Sequence, residues 1–170
     1  MIDLKANPQL LTSSPGGVAC IFIPIDSQWA MKCYKTACGR DEAFKYQTRA
    51  AEYGLAPLTK GTFEVEFDED VDLEFAKFYT HKSDYNYQTA NKIYGYITEI
   101  VRPVLNYKYY NPERGECESG DYMYRVERRF AYRTRKLRKA LDKLCGFYFG
   151  DDHAGNLGIK NGKLVCIDFL

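Results

Sequence analysis

The stretch GDDHAGNLGIKNGKLVCIDFL, from Gly150 to Leu170, gathers Asp151, Asp152, His153, Asn156 and Asp168 within a few residues. Carboxylate and amide oxygens are the hard ligands that hold Mg2+. A further carboxylate can align a proton. Phosphoryl transfer needs both, because charge spreads over the phosphate oxygens and a nucleophile must be oriented. Asp151 and Asn156 flank the tight turn of DDHAGN, where Gly155 lets the backbone double back. Asp168 ends a strand that begins after the same turn, so loop and strand end can face one another. Asn156 and Asp168 would then hold the metal, leaving Asp151 for the proton. The plain alternative is a polar turn followed by a short hairpin.

Such a loop needs elements to carry it. Residues 9–37 read as strands, in the pieces QLLT, VACIFIPI and WAMKCYK, separated by SSPGG and DSQ. Asp41 can cap a helix running to about Tyr53, which Gly54 ends, with Pro57 soon after. Phe63, Val65 and Phe67 alternate as in a strand, and LEFAKFY at 73–79 is expected to pair with it. From about Asp84 the spacing predicts a helix over 84–105, bent or stopped near Pro103, and then a loop over 107–121. A second helix is predicted over 122–145. Val126, Phe130, Leu137, Leu141 and Leu144 lie on one of its faces, and Arg128, Arg129, Arg135, Lys136, Arg138 and Lys139 on the other. LGIKNGKLVCIDFL reads as a hairpin turning at Asn161-Gly162. The organisation is a mostly β first half and a mostly helical second half, joined near 78–85.

Composition narrows the function. The chain has 170 residues, enough to bury an apolar interior, with 45% hydrophobic and 28% charged residues. Its formal net charge of +1 does not point to nucleic acid as a partner. No run of about 18 apolar residues predicts a membrane span, and MIDLKANPQLL has no apolar leader core. Six cysteines without a CxxC pair, and only two histidines, argue against zinc and for a reducing, cytoplasmic setting. Fifteen tyrosines should supply much of the packing. The basic face of the second helix reads as a solvated surface or as a dock for an acidic partner. The acidic stretch EVEFDEDVDLE at 64–74 would complement it, within the molecule or in a homodimer.

The C-terminal motif resembles the catalytic core of the protein-kinase-like superfamily. It is most similar to the D-x-H-x-G-N form found in aminoglycoside phosphotransferases, choline-kinase relatives and the serine/threonine kinases of short-tailed bacteriophages. The resemblance implies that Asp151 is the catalytic base and that Asn156 and Asp168 bind metal. His153 matches the loop histidine and would support the nucleotide site. Asp152 stands where the family has an apolar residue. The resemblance extends forward: SSPGGVACIFIP offers Gly16 and Gly17 as the turn over the phosphates, and WAMK resembles V-A-x-K, with Lys32 as the phosphate-holding lysine. GLAP at 54–57 resembles the turn that ends the family's helix. Glu42 is assigned as the carboxylate orienting Lys32, although counting back from Pro57 in protein-kinase style reaches Gln47.

The fold thus implied is α+β and two-lobed. An antiparallel N-lobe with one helix over 1–80 would cover the nucleotide, and a reduced, mostly helical C-lobe would fill 81–170. The family's D-F-G is here Asp168-Phe169-Leu170, and no activation segment follows it. The implied activity is ATP- and Mg2+-dependent phosphoryl transfer to a hydroxyl, with a protein substrate or partner, in the host cytoplasm if the chain is viral. The rival expectation is a kinase-like binding module that regulates or inhibits a partner without catalysis.

Overall fold

The structure is a computed structural model and describes residues 11–12, 21–34, 36–66, 92–104, 110–111, 116–117 and 120–169. Its largest element is a five-stranded antiparallel sheet. In chain order the strands are β1 (Leu11–Thr12), β2 (Ile21–Pro24), β3 (Trp29–Tyr34), β4 (Thr59–Glu66) and β5 (Lys92–Glu99), and they lie side by side as β1-β2-β3-β5-β4. The turn between β2 and β3 is built by Asp26. Its carboxylate accepts the Gln28 and Trp29 amides at 2.7 and 2.8 Å, and these bonds hold its pKa below the usual value.

Between β3 and β4 runs helix α1 (Ala37–Glu52), which starts four residues before the expected Asp41. Thr36 supplies the cap instead, its hydroxyl accepting the Gly39 amide at 3.1 Å. At the other end Gly54 takes φ 67°, and the Leu55 amide returns to the Ala50 carbonyl at 2.9 Å. The face of α1 that meets the sheet carries Ala43, Gln47 and Ala50. Gln47 is buried and satisfied. Its amide donates to Thr98 Oγ1 at 2.7 Å and to the Pro57 carbonyl at 3.3 Å, and it accepts from the Tyr96 hydroxyl at 2.7 Å.

The helix expected over 84–105 is corrected by β5, whose residues 92–99 form a strand between β3 and β4. Ile93, Tyr94, Tyr96, Ile97 and Thr98 are β-branched or aromatic, and ladder bonds on both edges outweigh a spacing that also suits a helix. The first half's sheet therefore extends to Glu99, and a division near 80 does not separate sheet from helix. The strand expected over 73–79 lies outside the described residues.

After β5 come the short strands β6 (Arg102–Pro103), β7 (Tyr110–Asn111) and β8 (Glu116–Cys117), and then helix α2 (Gly120–Cys145). The expected loop over 107–121 thus holds the β7–β8 ladder. Among the described residues α2 is the only helix of the second half longer than one turn, and short strands stand on both sides of it. Gly146 ends it at φ 65°, with its amide on the Asp142 carbonyl at 3.1 Å. A 3-10 turn, Ala154–Asn156, leads into β9 (Leu157–Lys160) and β10 (Lys163–Cys166), and the second sheet has the order β10-β9-β6. The β9–β10 hairpin turns at Asn161-Gly162, with φ 50° and 75°, as a type I′ turn requires.

One core joins these layers. Tyr34, Tyr96, Ala43 and Ala50 from the first sheet and α1 share it with Leu137, Leu141, Phe147, Phe149, Leu157, Cys166 and Phe169. The chain is therefore α+β, with small antiparallel sheets and two α-helices among the described residues.

Candidate active site

Lys32 lies in the middle of β3, opposite Tyr96 of β5, with its side chain only 1% exposed. A buried ammonium needs a counter-charge and acceptors. Its Nζ donates to Asp168 Oδ1 at 3.1 Å and to the Ile167 carbonyl at 3.0 Å. These partners lie 136 and 135 residues away along the chain. The Tyr34 ring stands 5.6 Å from the same ammonium.

Asp168 is held by its own segment as well. Oδ1 accepts the Phe169 amide at 2.9 Å, and the Cys166 thiol donates to the Asp168 carbonyl at 2.8 Å. Burial pushes the Cys166 thiol well above its ordinary pKa, so it serves as a neutral donor. Phe169 is fully buried, its ring centroid 5.0 Å from that of Phe147. The apolar anchor on one side of Asp168 and β10 on the other fix where the carboxylate points.

The loop before β9 presents Asp151 to solvent. Asn156 Nδ2 donates to the Asp151 carbonyl at 2.9 Å and to Asp151 Oδ2 at 3.2 Å. His153 Nδ1 accepts the Gly155 amide at 2.9 Å, and the Asn156 amide returns to the His153 carbonyl at 3.0 Å. His153 Nε2 stands 3.4 Å from Asp151 Oδ2. The imidazole therefore braces the turn. Asp152 faces away and pairs with Arg138 of α2 at 3.3 Å. The loop is tied to the tail by the Ile167 amide, which donates to the Asn156 carbonyl at 2.9 Å. Lys32, Asp168, Ile167, Asn156 and Asp151 thus form one bonded series across a single site.

Glu42 is not brought into this group. It is exposed on α1, and the Lys32 ammonium takes Asp168 as its counter-charge. The helix turns Ala43 and Gln47 toward the sheet, and Gln47 is spent on Tyr96, Thr98 and Pro57. Gly16 and Gly17 lie outside the described residues. Two features of the site have no signal in the sequence: the Ile167 carbonyl, which any residue would supply, and the Tyr34–Tyr96 hydroxyl bond at 3.1 Å behind Lys32.

Metal capacity among the described residues is limited. Among the described residues no three of His, Cys, Asp and Glu are grouped to hold one. Asn156 Oδ1 and Asp168 Oδ2 are the oxygens that take none of the bonds above. Carboxylate and amide oxygens are donors of the hard class that Mg2+ takes, an ion that keeps several waters and shares its shell with substrate phosphates. No protein-family model, no curated protein and no solved structure matches the chain.

Proposed function

We propose that this chain is an ATP- and Mg2+-dependent phosphotransferase of the protein-kinase-like kind, moving the γ-phosphoryl group to a hydroxyl. The observation that carries the reading is the buried Lys32–Asp168 pair, bonded through Ile167 to the loop of Asn156 and Asp151. A lysine fixed in the middle of a strand and turned toward the tail gives a point charge for phosphate oxygens. The solvent-facing carboxylate of Asp151 orients the acceptor hydroxyl and takes its proton as the new P–O bond forms and the β–γ bridging bond breaks, releasing ADP. Asn156 and Asp168 would hold Mg2+, which neutralises charge on the phosphate oxygens when bound. The order lysine strand, helix, the sheet strands β4 and β5, the short strands β6, β7 and β8, helix, loop and hairpin is compatible with two lobes around this site, the first widened to include β5.

The test pairs nucleotide binding with turnover. Millimolar ATP with Mg2+ should raise the melting temperature of the wild type by mass action. Asp151→Ala should keep that shift and lose transfer to a protein or small-molecule hydroxyl by about 100-fold or more. Asp168→Ala should lose the shift itself. Full turnover in both variants would overturn the assignment. A second reading, a kinase-like module that grips a partner without catalysis, draws on one observation: Glu42 lies in solvent, and Lys32 spends itself on Asp168. It requires that wild-type protein show no shift with nucleotide.

A further inference from the structure

Helix α2 carries a charge pattern that neither the fold nor the phosphotransfer site uses. Arg129, Tyr132, Lys136, Lys139 and Lys143 follow at steps of three and four, with Arg128 alongside, and all six are exposed. They share the face opposite Thr134, Leu137, Leu141 and Cys145, which enter the core. The stripe is about 21 Å long at 1.5 Å per residue. A solvated helix face ordinarily alternates in sign, because opposite charges four apart attract. Here Arg129 and Arg133, Arg135 and Lys139, and Lys139 and Lys143 stand four apart with like charge. Between Tyr124 and Cys145 only Glu127 and Asp142 are acidic. Among the described residues no carboxylate pairs with Arg128, Arg129, Lys136, Lys139 or Lys143, whereas Arg138, toward the loop, has Asp152. Tyr132 lies under the Lys136 ammonium, 4.7 Å from the ring centroid, and adds a flat, 67% exposed contact to the stripe.

We infer that this face of α2 docks an acidic polypeptide segment. A polyanion laid along it relieves the like-charge repulsion and meets a cation at each turn. Length and charge balance select the occupant. An extended segment of six to seven residues spans the stripe at about 3.3 Å per residue. The whole chain is only +1, so everything outside α2 is on balance negative. A long nucleic acid or an anionic membrane would run past the helix onto that surface, whereas a short acidic segment ends with the stripe. Docking goes beyond the phosphotransfer reading and does not depend on it.

The experiment is fluorescence anisotropy on the full chain without nucleotide, using a labelled ten-residue Asp/Glu peptide and its Asn/Gln counterpart. Binding of the acidic peptide alone, weakened several-fold from 50 to 300 mM salt, is expected. Arg129→Glu/Lys136→Glu/Lys139→Glu should weaken it at least tenfold. The Gln version of the same triple variant should weaken it less, with the melting temperature of both near wild type. No binding at 50 mM salt would overturn the inference. So would unchanged affinity in the folded triple variant, or tighter binding of single-stranded RNA, duplex DNA or anionic phospholipid vesicles. The mixture holds no ATP, so failure here leaves the phosphotransfer assay untouched, and the reverse also holds.

Discussion

Lys32 and Asp168 make one ion pair from two unequal environments. The lysine side chain is 1% exposed and the aspartate 30%. Removing either breaks the same bond, but what remains behind differs. Lys32→Met fills the stem's volume with apolar atoms, and Asp168 rehydrates from its open side. Asp168→Ala leaves a buried ammonium without its counter-charge, the costlier outcome. Urea unfolding should therefore give a loss of about 3 kcal/mol for Asp168→Ala and about 1 kcal/mol for Lys32→Met. Equal losses would mean that the pair is not buried on the lysine side. At this scale much of the site was legible: Asp151, Asn156 and Asp168 are polar types at a spacing that a turn and a hairpin bring together. The partner of Lys32 was not. Glu42 and Ala43 are neighbours in sequence and sit 100° apart around α1, so an error of one residue moves a carboxylate from the sheet into solvent. The pairing that does form spans nearly the whole chain, and no local pattern encodes it.

At the scale of elements, hairpin and strand show why one signal was plain and another was not. Asn161-Gly162 demands positive φ at both turn positions, and few residue pairs accept that, so β9–β10 could be read directly. β5 gave no strict alternation because it runs in mid-sheet. Gly95 there has no side chain: an added Cβ would meet the Lys32 carbonyl at 2.8 Å and clash with the Phe63 ring. The gap in its pattern is a packing requirement that looks like a helix-compatible interruption. The end of β5 carries a testable link to the second sheet. Glu99 pairs with Lys160 of β9 and accepts the Leu58 amide at 3.0 Å. Burial alone would raise its pKa, but the Lys160 hydrogen bond, the Leu58 amide and the Lys160 charge outweigh it and hold the carboxyl below the usual range. A carboxyl depressed in the folded state contributes stability that is complete above its unfolded value, about 4.3. That contribution fades below this pH and is gone once pH falls past the folded value. Glu99→Gln should thus be less stable than wild type at pH 7, and the difference should shrink on moving to pH 3. Urea midpoints at the two pH values measure it. A difference that grows with acid would reverse the sign and refute the pairing.

For the whole molecule, the question is whether the first sheet and the α2 half stand apart or fold together. Three kinds of contact cross between them. The core cluster runs from Tyr34, Ala43 and Tyr96 through to Leu141, Phe147 and Phe169 without a break. Hydrogen bonds join them: the Cys166 amide donates to the Leu55 carbonyl at 2.9 Å, and the Arg49 side chain, through Nε, to the Leu144 carbonyl at 3.2 Å. The Lys32–Asp168 pair adds a charge bond from the middle of the sheet to the tail. A half unfolding by itself would expose the shared apolar face and strand a buried ammonium, so partial unfolding is disfavoured at both ends of the interface. The molecule supplies its own probes. Trp29, the single tryptophan, sits on β3 in the first sheet, whereas the longest described helix, α2, belongs to the other half. Tryptophan fluorescence should therefore follow the sheet, and circular dichroism at 222 nm should follow α2 together with α1. The two urea curves should coincide, with the same midpoint and slope. Asp168→Ala should move both curves together, because the lost bond belongs to the interface and not to either half. Curves that separate by more than their error, or a variant that shifts only the fluorescence, would show two independently folding units. The site built on Lys32 and Asp168 would then be a contact that opens without unfolding either one.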